Sequence, residues 1–133
     1  MRDVLFPRIA TGLGGGMGGE HELVCGVLSG AGIAAGVFFG RDRPPRPDEP
    51  RTKAYELTDS VIVDFRRRFG TVFCGELIAE HVGVKPRDER WREMYKAAGV
   101  HERFCLKFVS FAVERWLEHF ARLEGEADAS DEP

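Results

Sequence analysis

The residues with the most chemistry to offer are three cysteines, Cys25, Cys74 and Cys105, and two histidines, His21 and His101, each four positions ahead of a cysteine. A thiol near its free pKa of about 8.5 is mostly protonated at neutral pH, and a helix N-terminus or a neighbouring imidazolium lowers that value. All three cysteines fall near expected helix starts, where free backbone N–H groups and the helix dipole favour a thiolate. Cys74 is expected on the first turn of its helix. His21 and His101, four residues before Cys25 and Cys105, are expected one turn away on the same helix faces. Two other chemistries use the same side chains. Cys25, Cys74, Cys105, His21 and His101 are the donor types that zinc, copper or an iron–sulfur cluster accepts, although tight Cys-x-x-Cys pairs are missing. A free cysteine can also be only a small buried hydrophobe.

The elements that must position these residues read as helical throughout. A short helix is expected at residues 4–11, and the glycine run at 12–19 as a tight turn feeding a helix over 20–39. In that helix Gly26, Gly30 and Ala34 recur every four residues as a smooth stripe for close packing. Written Gly14-x-Gly16-x-x-Gly19, the glycine run formally matches a dinucleotide fingerprint, but no strand precedes it as that motif requires. Residues 40–50, GRDRPPRPDEP, hold four prolines and form an exposed connection. A second helix over 52–69 carries Ala54, Leu57, Val61, Phe65 and Phe69 at helical period and ends at Gly70. Thr71 then caps a third helix over 73–82. A fourth, over 86–98, puts Trp91, Met94, Tyr95 and Ala98 on one face, and a last helix over 101–123 is apolar around most of its circumference. His81 and His119 read as surface residues. No alternating strand pattern of useful length occurs, so the fold class is all-α, a compact bundle of four to six helices. Residues 1–123 read as a single domain and 124–133 as a disordered acidic tail. Up-and-down connectivity makes Cys25 and Cys74 neighbours, and brings Cys105 back to the same end.

Composition narrows the function. The chain has 133 residues and a net charge of −3, which argues against nucleic-acid binding because that needs a basic face. The arginine clusters at 41–46 and 66–68 read as solvated charge. Residues 23–39 are uncharged but glycine-rich and at the lower edge of spanning length, so a buried helix is expected rather than a membrane span. An odd cysteine count without a secretory signal points to the cytoplasm. No Ser–His–Asp set and no His-Glu-x-x-His motif occurs, which leaves hydrolase readings without support.

In order, FPRIATGLGGGMGG (6–19), CGVLSG (25–30), GVFFGR (36–41), FRRRFGTVFCGEL (65–77) and a late cysteine at 105 resemble the C_GCAxxG_C_C family of redox-active proteins. That family has a CGAxxG motif and four cysteines. Here Val27 stands at the motif's alanine, and the family's first cysteine has no counterpart. The resemblance implies a redox role for Cys25, Cys74 and Cys105. The leading reading is a reversible dithiol/disulfide pair of Cys25 and Cys74, with Cys105 as a nearby resolving thiol and a redox partner protein as substrate. The alternatives are a metal or iron–sulfur electron-transfer protein and a non-catalytic helical subunit. An apolar groove along Val24, Leu28, Ile33 and the last helix is expected to make the chain a homo-oligomer or part of a complex.

Overall fold

The computed structural model describes residues 7–130, with side chains to residue 126. Helical residues 7–10 run into a 3-10 turn at Thr11–Leu13. There follow α1 (Gly26–Phe39), α2 (Lys53–Phe69), α3 (Cys74–Val82), α4 (Trp91–Ala98), one π-helical turn (His101–Cys105) and α5 (Leu106–Ser130). The fold is all-α. Among the described residues the β pairing is one isolated antiparallel bridge, Val24 to Phe73, and no helix is long and apolar enough to cross a membrane.

α2 shows how local sequence sets an element. The Thr52 side chain accepts a hydrogen bond from the Tyr55 N–H at 3.3 Å, satisfying one of the free donors of the first turn. Leu57, Val61 and Phe65 recur every four residues and are fully buried. Gly70 ends the helix at φ 82°, with Arg66, Arg67 and Arg68 in the last turn beside the carbonyl end of the dipole. α1 and α2 pack together through Gly32, where an added Cβ would lie 3.5 Å from Thr58 Cγ2. α5 closes the layer: Trp116 Nε1 donates to the Ala31 carbonyl at 3.2 Å, and Lys53 Nζ to the Leu123 carbonyl at 3.0 Å. Phe65, Phe108, Leu28 and Val61 form the main core, and Ala35, Leu57 and Leu123 a second cluster at the far end of α1. In the proline-rich connection Arg41 and Arg43 both pair with Glu49.

Several boundaries differ from the sequence reading. The first long helix starts at Gly26 and not at residue 20, because Gly15, Gly16, Met17, Gly18, Gly19 and His21 all have positive φ, a left-handed run that cannot seed a right-handed helix. The small-residue stripe does not act as one surface. Gly26 meets the glycine loop, with Gly14 Cα 3.2 Å from where its Cβ would stand, whereas Gly30 is open. α4 begins at Trp91 after a turn in which the Trp91 N–H donates to the Asp88 carbonyl. α5 continues to Ser130, past the expected end at Leu123. The expected groove is also displaced: Leu28 is 2% exposed, while Val37, Phe38, Val109, Val113 and Leu117 stand out in water. His119 is half-buried, with Nε2 2.7 Å from Asp64 Oδ2, while His81 is exposed and stacks on Phe104.

Candidate thiol site

The bridge at Val24 and Phe73 brings two distant cysteines together. The Cys25 N–H donates to the Val72 carbonyl and the Cys74 N–H to the Leu23 carbonyl, each at 2.8 Å. Cys25 is the N-cap of α1, and Cys74 is the first residue of α3. Flanking a paired residue on each strand, their side chains leave the bridge on the same side. The approach depends on glycine at two positions. An added Cβ on Gly16 would lie 2.8 Å from Cys74 Cβ, and one on Gly75 would run into the Pro86 ring.

The histidines are redistributed relative to expectation. His21 is not a turn before Cys25 on a helix. Its φ of 63° turns the ring towards the other cysteine, with Nδ1 3.4 Å from Cys74 Sγ. Rings of Trp91 and Tyr95 hold it there, their centroids 5.4 and 4.7 Å from that of His21. His101 does not serve Cys105: its Nε2 lies 2.8 Å from the Tyr95 hydroxyl. Cys105 ends the π-helical turn, a distortion frequent at functional sites. Trp91 and Tyr95 are the site residues that sequence reasoning missed. Their four-residue spacing marked a buried face, but nothing marked His21 as the ring they would hold.

Electrostatics favour neutral thiols. Burial pushes the Cys74 thiol up to about 12, and negative charge on Cys25 or Cys105 would push it the same way. The expectation that the helix N-terminus activates Cys74 therefore fails, because desolvation outweighs the dipole. Cys25, only 7% exposed, is also raised by burial, although the Val27 and Leu28 amides at the start of α1 pull it down. The helix-start stabilisation expected at Cys74 is thus found at Cys25. Cys105 is raised by burial and by the charge of Cys25. The three thiols are within electrostatic reach of one another, and all are free. His21 is lowered by burial and then by His101, so the resting pair is a neutral imidazole beside a neutral thiol. His21 also lines an open cleft of about 890 Å³ with Trp91, Tyr95, Arg92 and His101.

The family model described as "Putative redox-active protein (C_GCAxxG_C_C)" matches residues 2–119. The chain belongs to this family. No match was found among curated proteins or among solved structures. The redox character of the family agrees with a site built from three thiols and not from a carboxylate pair or a serine nucleophile. Among the described residues no three of the histidine, cysteine, aspartate and glutamate side chains are grouped as a metal-ligand cluster. Of His21, His101, Cys25, Cys74 and Cys105, three are engaged in the His21–Cys74 and His101–Tyr95 pairs.

Proposed function

We propose that the chain is a dithiol that reduces a disulfide, with Cys74 as the attacking sulfur, His21 as its proton acceptor and Cys25 as the resolving thiol. The observation that carries this reading is the 3.4 Å contact of Cys74 Sγ with His21 Nδ1, beside a bridge that sets Cys25 on the same side. With the ring proton on Nε2, Nδ1 accepts the Cys74 proton as the sulfur attacks one sulfur of the partner's disulfide. That S–S bond breaks, a mixed disulfide forms, and the leaving thiolate takes the proton from His21. Cys25 then attacks Cys74 Sγ, and its thiolate is stabilised by the Val27 and Leu28 amides. The second partner thiolate leaves and takes the Cys25 proton. The protein ends with one disulfide, the partner with two thiols, and two electrons have moved.

The register of the bridge supports the pairing, since Cys25 and Cys74 stand at diagonal positions on the same side of it. Diagonal neighbours across antiparallel strands lie about 7–8 Å apart at Cα with Cβ closer, just outside the ~4.4–6.8 Å range of a disulfide. Closing the bond asks for a shift of about 1 Å. Cys105 is within electrostatic reach and is the resolving thiol when Cys25 is missing. A trapping experiment tests the assignment. A Cys25→Ser, Cys105→Ser double variant incubated with oxidised glutathione should accumulate a mixed disulfide on Cys74. Cys74→Ser alone, which leaves Cys25 and Cys105 in place, should give no adduct and unchanged helical circular dichroism. A glutathione adduct that survives Cys74→Ser would overturn the assignment.

A further inference from the structure

Along α5, Leu106, Val109, Val113 and Leu117 follow at three- and four-residue spacing, and all are between 43% and 60% exposed. The outer face of a surface helix is normally polar, and this apolar stripe runs for about 17 Å at 1.5 Å per residue. Beside it, Gly30 and Ala34 of α1 leave a hollow of about 330 Å³ against Val109, Val113 and Leu117. Apart from the neighbouring α1 backbone, no atom lies within 4 Å of the place a Gly30 Cβ would take, so the hollow can receive an aliphatic side chain from outside. We infer that a second copy of this chain docks here, α5 against α5 and antiparallel.

Charge selects that occupant and that orientation. Arg103 and Lys107 border the start of the stripe, and Glu124 continues its line seven residues beyond Leu117. None of the three has an ion-pair partner among the described residues. Arg103 and Glu124 lie ten and eleven residues either side of Val113. A two-fold axis near Val113 therefore sets the basic end of each helix against the acidic end of the other, twice over, while the apolar stripes meet between them. A parallel pair would set like charge against like. A face that is complementary to itself under a two-fold rotation fits an isologous dimer, and this one rests on nothing in the thiol chemistry.

Sedimentation equilibrium of the full chain tests it. A dimer is expected at micromolar concentration. Val113→Glu should give a monomer with unchanged helical circular dichroism, since the side chain it replaces is already half in water. Glu124→Arg alone should weaken association about tenfold or more, and adding Arg103→Glu should restore it by swapping the two charges. A chain that stays monomeric would assign the face to a different protein and overturn the inference. A dimer indifferent to Val113→Glu, or a charge swap that fails to restore association, would overturn it as well.

Discussion

At the scale of single residues, reactivity is decided by a contest between desolvation and the groups that would stabilise a thiolate. At Cys74 desolvation wins, so the resting sulfur is a thiol beside a neutral imidazole. Two outcomes follow. Alkylation of Cys74 in the reduced protein should be slow at pH 7 and rise about tenfold per pH unit without levelling off below pH 10, because its pKa is pushed up to about 12. Levelling off at about pH 9.5 would mark an unperturbed thiol. His21→Ala should slow mixed-disulfide formation by about 10²-fold or more, the usual worth of a positioned base, and the loss should shrink as pH rises and hydroxide takes over the proton. Stability carries the same sign. Cys25, Cys74 and Cys105 all have raised values in the folded state, so their contribution is fully present below the ordinary thiol pKa near 9.0. It is lost as pH climbs through the folded values. The melting temperature should fall between pH 9 and 12, and less so in the triple cysteine-to-serine variant.

At the scale of elements, the site depends on two helix starts pinned to each other by a single bridge. Helical period and Gly70 as a stop are legible in the sequence, which is why α2, α3 and the all-α class can be read from it, whereas the cap expected at Thr71 is not found: Phe73 stands at the N-cap of α3 without a side-chain bond. A one-pair bridge has no periodicity to read. The same holds for the left-handed run from Gly15 to His21, since a glycine run says that the chain can turn but not which way. Spacing alone therefore puts His21 beside Cys25, whereas its ring reaches Cys74. Juxtaposition of Cys25 and Cys74 was legible from connectivity alone, because the tight turn at Gly70 returns the chain to the start of α1. Gly75→Ala should cost about 1–3 kcal/mol in urea unfolding, as overpacking does, and should slow mixed-disulfide formation at Cys74 by displacing the segment that carries His21, whose carbonyl the new Cβ would meet. Thr52→Ala is the control: it should cost about 1 kcal/mol through loss of a cap and leave Cys74 reactivity unchanged.

At the scale of the whole molecule, α1, α2 and α5 pack on one another, and the loop at 12–25 together with α3 and α4 brings His21 to Cys74 beside Cys25 at one end of them. With burial outweighing the Val27 and Leu28 amides, the reduced form has no net thiolate stabilisation, unlike strongly oxidising dithiols whose reduced state is favoured. The couple should therefore sit on the reducing side. Its potential should fall by about 59 mV per pH unit from pH 6 to 9, because two protons accompany two electrons and a tenfold change is 29.6 mV for such a couple. A slope that halves within that range would show one thiol ionising. The central claim, that Cys25 and Cys74 are the exchanging pair, is tested most directly by peptide mapping of the gently oxidised chain under non-reducing conditions. The account predicts a peptide pair joined through Cys25 and Cys74 that disappears on reduction, with Cys105 still free. Oxidised protein in which Cys25 and Cys74 remain free thiols would contradict it.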